Sequence, residues 1–220
     1  MATLSKGYLE RYSGKIGPVV ICQRKDMVYI RSMPTRIKRR KITARQRLHR
    51  EKFALIQRLL RPINALIKLG FKKDIEKRSC HNAAMSYNLK ESVQLIDGKQ
   101  QIIWQNFLFS KGLENPALNA KMQVNLSDKK IRLSWKTDLN FIEKYKANLF
   151  QSVVLIYVEK EFTFLPQIFW HSAHLANEKL EVNYMNEQKP CKFHVYLAFF
   201  STLGDSQTTS NIYLGSFKPE

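Results

Sequence analysis

The sequence predicts an α+β fold, in which a basic N-terminal β-hairpin and helices precede an antiparallel β-sandwich. Two β-branched runs lie near the N-terminus, apolar residues then recur at helical spacing, and period-two alternation prevails after residue 95. With 220 residues, 44% of them hydrophobic, the chain is long enough for one large domain or two small ones. We expect a basic hairpin and helical region at residues 1–94, and a sandwich at residues 95–220 that folds alone.

The first predicted element is the hairpin. Residues 19–22 and 27–30 are rich in β-branched side chains and are separated by a short polar link. Pro34 then favours an end to the second strand. Because an isolated hairpin is marginal in water, we expect this one to pair or pack with its own chain or with a neighbouring subunit.

A basic amphipathic helix is predicted next, with Thr43 as its N-cap. Its apolar stripe comprises Leu48, Leu55, Ile56, Leu59, Ile63, Leu66 and Ile67. The opposite face carries Arg47, Arg50, Arg58, Arg61 and Lys68. Pro62 predicts either a kink or a second helix with Pro62 at its first position, and Gly70 is a natural stop. A shorter helix is expected over residues 81–90.

The second half of the chain has the pattern of strands. Met122, Val124 and Leu126 alternate with polar residues, and the alternation resumes at Ile131 after a turn. Further strands are predicted at residues 101–104, 152–159, 163–170, 179–184, 192–201 and 211–217. Seven or eight short strands with turn residues between them indicate an antiparallel sandwich.

Charge is distributed unevenly along the chain. Residues 1–93 hold 23 Lys and Arg against 6 Asp and Glu, a net charge of +17, whereas residues 94–220 have a net charge of +2. The densest stretch, residues 31–50, carries nine cations and no acid. Solvated faces usually mix both signs, so this block indicates a polyanionic partner more than an ordinary surface. A membrane partner is disfavoured because the helix lacks Trp on its apolar stripe and needs that stripe for packing.

Two smaller motifs have competing interpretations. The segment GKIG at residues 14–17 matches the GxxG loop with which KH domains hold a nucleic-acid backbone, but here it precedes a strand, which favours a tight turn. His171 and His174 lie close together, yet no Cys or acid is suitably spaced to complete a metal site. We therefore predict no metal and no cofactor.

Catalysis and secretion find little support in the sequence. It contains no nucleophile elbow, phosphate-binding P-loop, dinucleotide fingerprint or zinc-protease helix, so we expect a protein that is not an enzyme. Cys22, Cys80 and Cys191 lack the spacing of a zinc or redox motif, which is typical of reduced thiols. The N-terminus lacks a signal-peptide pattern, and the strongly apolar run at residues 153–158 is too short to span a bilayer. These features predict a cytoplasmic protein.

Three resemblances accompany these patterns. KIRLSW at residues 130–135, FHVYLAFF at 193–200 and SNIYLG at 210–215 resemble strands of a fibronectin type III or immunoglobulin-like domain, which implies an immunoglobulin-like sandwich. The whole chain resembles an uncharacterised family of Bacteroidota proteins, through SGKIGPVV at 13–20, YIRSMP at 29–34, residues 43–53, Gly70-Phe71 and the closing YLG at 213–215. That resemblance implies no activity. The opening part also resembles phage structural proteins.

These observations predict a non-enzymatic nucleic-acid-binding protein that contacts phosphates largely without sequence preference. The predicted contact residues are Arg31, Arg36, Lys38, Arg39, Arg40, Lys41, Arg45, Arg47, Arg50, Arg58, Arg61, Lys72 and Lys73. The partner is DNA, RNA or another polyanion, with an acidic protein as one possibility. The alternative function is a self-assembling structural protein, a phage-like coat, tube or filament subunit that uses its N-terminal arm for subunit contacts. In either case we expect a homo-oligomer or larger assembly and no membrane partner.

Overall fold

The computed structural model describes residues 2–4, 13–24, 27–34, 41–72, 78–145, 149–160, 163–185, 191–203 and 207–219. These residues form an α+β fold, as predicted. The chain divides into two compact units, Met1–Ile42 and Thr43–Glu220. The compact units therefore divide at 42/43 and not at the expected boundary of 94/95, because the helices share a core with the strands that follow them.

The N-terminal unit contains a four-stranded antiparallel sheet in the order β1-β4-β3-β2. Its strands are β1 (Ala2–Leu4), β2 (Gly14–Ile16), β3 (Val19–Arg24) and β4 (Met27–Ser32). The predicted hairpin is confirmed as β3–β4, with Ile21 opposite Ile30, and both of its edges pair within the same chain.

The second unit begins with three helices. They are α1 (Ala44–Leu60), α2 (Asn64–Gly70) and α3 (Cys80–Glu91). The long basic helix is confirmed, but α2 begins at Asn64 and not at Pro62, because residues 61–63 form a turn. Gly70 ends α2 as predicted. A Cβ there would lie 2.6 Å from the carbonyl oxygen of Phe109, so close packing also favours glycine.

The strands of the second unit form three antiparallel sheets, and one short helix lies among them. The elements are β5 (Val93–Ile96), β6 (Lys99–Ile102), β7 (Ala117–Asn125), β8 (Lys130–Thr137), α4 (Leu139–Tyr145), β9 (Phe150–Lys160), β10 (Thr163–His174), β11 (Lys179–Asn183), β12 (Lys192–Ser201) and β13 (Ile212–Phe217). The sheet orders are β10-β9-β12-β13, β11-β8-β7 and β5-β6.

The two larger sheets pack face to face as the predicted sandwich. Ile131, Leu133 and Trp135 of β8 share one core with Val154 and Ile156 of β9. On the three-stranded sheet, buried and exposed residues alternate along β8, which is the pattern of a strand with one face in the core. The seven strands thus form a sandwich-like arrangement of three against four.

The two central strands of the sheet β10-β9-β12-β13, namely β9 and β12, are buried on both faces. The alternate residues of β9, including Val153, Leu155 and Tyr157, share a second core with α1, α2 and α3. Burial is therefore continuous from Ser152 to Val158, and the apolar run in the sequence reflects cover on two sides. The Tyr157 hydroxyl donates to the carbonyl of Leu59, which links the sheet directly to α1.

Candidate nucleic-acid interface

Helix α1 begins with a reciprocal capping box. The Gln46 backbone N–H donates to Thr43 Oγ1 at 3.2 Å, and the Thr43 backbone N–H donates to Gln46 Oε1 at 3.1 Å. The two bonds satisfy donors that a helix start otherwise leaves without partners. The predicted N-cap is confirmed, and the start of the basic helix is fixed by local contacts.

Three basic residues of α1 and its C-cap residue Arg61 project away from the core. At about 100° per residue, Arg47, Arg50, Arg58 and Arg61 fall within an arc of about 80°, opposite the buried stripe. All four are exposed. The buried stripe consists of Leu55, Ile56, Leu59 and Leu60, followed by Ile63. The phase predicted for the two faces is therefore confirmed.

The first turns of α1 are exposed on every side. Residues 44–54 include no buried side chain, although Leu48 and Lys52 are half-buried. Arg45 lies only about 20° from the phase of Ile56, yet it is exposed while Ile56 is fully buried. The hydrophobic core does not extend to this part of the helix, so Arg45, Arg47 and Arg50 are all exposed to solvent.

Acidic partners are scarce on this surface. Among the described residues, no carboxylate lies within ion-pair distance of Arg45, Arg47, Arg50 or Arg61. The sandwich differs: Glu181 pairs with Lys130 at 2.8 Å and with Arg132 at 2.9 Å. Its hydrogen bond with Lys130 raises the pKa of that ammonium and lowers the pKa of Glu181.

The remaining predicted contact residues fall into two groups. Arg31, Lys41 and Lys72 are exposed, the first two in the N-terminal unit and the third just after α2. Arg36, Lys38, Arg39, Arg40 and Lys73 lie outside the described residues. The structure thus brings Arg47, Arg50, Arg58 and the C-cap residue Arg61 together on one face of α1, whereas Arg45 projects from the opposite side of the helix.

The two smaller motifs have ordinary structural roles. Gly17 has φ 54° and Pro18 follows it in the turn between β2 and β3, which agrees with the tight-turn interpretation. His174 ends β10, where its Nε2 lies 3.5 Å from Gln151 Nε2. Among the described residues, no group of three His, Cys, Asp or Glu side chains is placed to hold a metal ion.

A groove that sequence reasoning missed opens beside α1. It has a volume of about 560 Å³ and is bordered by α1, the β5–β6 hairpin and the adjacent ends of β9, β10 and β12. Arg58 lines it from α1, Lys99 from β6 and Lys192 from β12, with Trp104 and Phe164 among its apolar residues. Arg58 therefore belongs both to the basic face and to the groove.

A buried polar chain supports one wall of this groove. His194 is 1% exposed, with Nε2 3.1 Å from Glu159 Oε2 and Nδ1 3.0 Å from the Tyr213 hydroxyl. Its ring stacks on Trp104 with centroids 3.9 Å apart. Burial lowers the pKa of His194, although the hydrogen bond with Glu159 opposes that change, and burial raises the pKa of Tyr213. Glu159, which also lines the groove, is held in place by this chain.

Comparison with known families gives one match. The family of unknown function DUF6266 matches residues 11–215, which is nearly the whole chain. The chain belongs to this family. The match includes most of the basic N-terminal sheet together with the helices and sandwich, and it confirms the expected membership of a family of unknown function. A comparison with curated proteins found no match.

Neither comparison assigns an activity to this DUF6266 protein, so its candidate sites are inferred from their geometry alone. One signal for the groove was present in the sequence, because His194 interrupts an otherwise apolar strand. The residues that line the groove come from elements far apart in the chain. Separately, none of the helices within the described ranges is both long and apolar enough to cross a membrane.

Proposed function

We propose that this protein is a cytoplasmic, non-enzymatic nucleic-acid-binding protein that contacts phosphates through the basic face of α1. The observation that carries the proposal is the exposure of Arg47, Arg50 and Arg61 on this face without an acidic partner among the described residues. Cys22 and Cys80 are free thiols, which supports a reducing compartment.

Electrostatic repulsion within α1 favours a polyanion as the partner. The helix contains five Lys and Arg and one acid, Glu51. Arg47 and Glu51 are four residues apart, a spacing at which ion pairs form, but no such pair is present. Like charges held along one face repel each other, and the bound phosphates of a nucleic acid relieve that repulsion while releasing condensed cations.

The amides of α1 argue against recognition of bases by the helix. Asn and Gln side chains recognise adenine through paired hydrogen bonds. Gln46 is occupied in the capping box, and Gln57 Oε1 lies 3.1 Å from His81 Nε2. Both amides therefore have structural partners, which supports phosphate contacts with little sequence preference.

The proposal is tested by fluorescence anisotropy with labelled duplex and single-stranded oligonucleotides of unrelated sequences. Four phosphate contacts predict that the affinity for duplex falls about 100-fold between 50 and 200 mM salt, similarly for every sequence. The double variant Arg47→Glu with Arg50→Glu is expected to lower affinity more than about tenfold and to flatten the salt dependence by about two contacts.

A matched control separates the basic face from total charge. Lys136→Glu with Lys179→Glu changes the net charge equally, at two exposed positions on β8 and β11. We expect this control to bind within about twofold of the wild type at 150 mM salt, where the Debye length is about 8 Å. Equal losses in the two double variants, or no binding at 50 mM salt, would show that the α1 face is not the interface.

A second candidate function, self-assembly, is favoured by the weak core of the N-terminal unit. Among its described side chains, only Ile21 and Val28 are buried, whereas Ile16 on the edge strand β2 is 56% exposed. A small sheet with so little burial gains stability from pairing with another surface. We infer that a second copy of the chain supplies that surface.

Light scattering coupled to gel filtration tests the assembly. The full chain at 300 mM salt should elute as an oligomer, and a chain starting at Thr43 should elute as a monomer with nearly the same melting temperature. A monomeric full chain, or an oligomer that persists after residues 1–42 are removed, contradicts the assignment of the N-terminal unit to subunit contacts.

A further inference from the structure

The groove beside α1 combines the chemical groups that a nucleotide needs. Its volume of about 560 Å³ falls in the range of roughly 300–1,000 Å³ that small-molecule sites occupy. Three cations, Arg58, Lys99 and Lys192, line it, and each comes from a different structural element. Their positive charges are suited to phosphate, which binds most strongly through charge-assisted hydrogen bonds.

The rest of the lining is suited to a base. Half-buried Ile102 and Phe164, together with Leu55, offer apolar surface, while Gln100 and Gln101 offer amide donors and acceptors. Single-strand-binding proteins hold bases through contacts with aromatic rings, and such contacts tolerate any sequence. Phe164 and Lys192 both lie opposite Glu159 in the strand register, so a base inserted toward Phe164 would leave its phosphate to the other two cations, Arg58 and Lys99.

The two carboxylates of the groove, Glu51 and Glu159, also constrain how a ligand lies. They repel phosphate but accept hydrogen bonds from the amino groups of bases. Glu159 keeps a defined position because its Oε2 lies 3.1 Å from His194 Nε2. This arrangement favours a base beside Glu159 and a phosphate near Lys99 and Arg58.

We propose that the groove binds one unpaired nucleotide of a single-stranded nucleic acid whose backbone follows the basic face of α1. Arg58 belongs to both surfaces, so a strand that contacts the helix reaches the groove without a gap. The inference rests on the proposed nucleic-acid binding and adds a preference for single strands over duplexes. A base in a duplex must first leave its stack and its pair, so the groove favours single strands over duplexes.

The experiment compares a labelled single-stranded 12-mer with the matching duplex at 100 mM salt. The wild type should bind the single strand at least about tenfold more tightly, the equivalent of about 1.4 kcal/mol. Lys99→Gln with Lys192→Gln should remove that preference and leave duplex affinity within about twofold. Arg47→Gln with Arg50→Gln should weaken both complexes and keep their ratio.

The outcomes distinguish the two proposals. If the groove variant leaves the ratio of the two affinities unchanged, the groove is not a nucleotide site, although binding by α1 stands. If the wild type binds neither oligonucleotide, both proposals fall. Lys136→Gln with Lys179→Gln, an equal loss of charge on the sandwich, should behave as the wild type, and melting curves should show that every variant is folded.

Discussion

The two halves of helix α1 have different relations to the rest of the molecule. Residues 44–54 include no buried side chain, whereas Leu55, Ile56, Leu59 and Leu60 are all buried in the core against the four-stranded sheet. The exposed half is ordered by its capping box and by its continuity with the buried half. The comparison shows that one helix can place all of its buried residues in its second half and leave its first half exposed to solvent.

The largest effect is expected from removing the buried half together with the other helices. A fragment of residues 95–220 would expose the sheet face that carries Val153, Leu155 and Tyr157. The alternating pattern after residue 95 predicts that the sandwich folds without the helices. Because the helices share a core with β9 and β12, however, we expect this fragment to lose cooperative thermal unfolding, measured by near-ultraviolet circular dichroism. A fragment of residues 43–220 should retain it. Sharp melting of the shorter fragment would mean that the helical core is dispensable.

A single charge should distinguish the two halves of α1. Leu59→Asp places a carboxylate in the core at a fully buried position, which we expect to cost at least about 3 kcal/mol of unfolding free energy. Leu48→Asp, at a half-buried position in the exposed half, should cost less than about 1 kcal/mol. Urea titration measures both. Comparable losses would contradict the division of the helix.

The buried His194 allows the packing of the core to be tested through the pH dependence of stability. Because burial lowers the pKa of His194 below the ordinary value of about 6.5, the unfolded chain binds more protons, and stability should fall as pH drops below about 6.5 toward the folded pKa. His194→Gln should flatten this part of the stability profile, measured by urea midpoints between pH 5 and 7.5.

The smallest effect on global stability is expected at the N-cap. Thr43→Ala removes the hydroxyl that accepts the Gln46 N–H, a change that costs at most about 1 kcal/mol here, because the exposed half can fray without disrupting the core. Hydrogen exchange should accelerate over residues 44–50 and stay unchanged over residues 55–60. Thr43→Ser, which keeps the hydroxyl, should match the wild type.

Local patterns predicted most of the fold. The capping sequence at Thr43 and Gln46 gave the start of α1, and the alternation after Lys130 gave a half-buried strand. Two features were still missed, namely the turn that joins β5 to β6, although a strand was predicted at residues 101–104, and helix α4. Asp97-Gly98 forms the turn of the β5–β6 hairpin, with φ of 50° and 72°, and this dipeptide is a strong hairpin signal. The seven-residue helix α4 is too short to show a clear period.

Long-range packing could not be predicted from local sequence patterns. The apolar run of β9 predicts a strand, but no local feature says that helices cover one of its faces. The same holds for the groove, where Arg58, Trp104 and Lys192 meet although they are far apart in the chain. For the basic surface, the helical period gave the positions of Arg47, Arg50, Arg58 and Arg61, because their phase depends only on α1.

The sheet β10-β9-β12-β13 has helices packed on one face and a second sheet packed on the other, which has a consequence for the motions of the molecule. Strands β9 and β12 lie in the middle of that sheet and are buried along most of their length. Their amide protons have no route to solvent through local fluctuations, since either face opens only if a whole layer departs. These protons should therefore exchange only when the entire second unit unfolds, and their protection should report its free energy of unfolding.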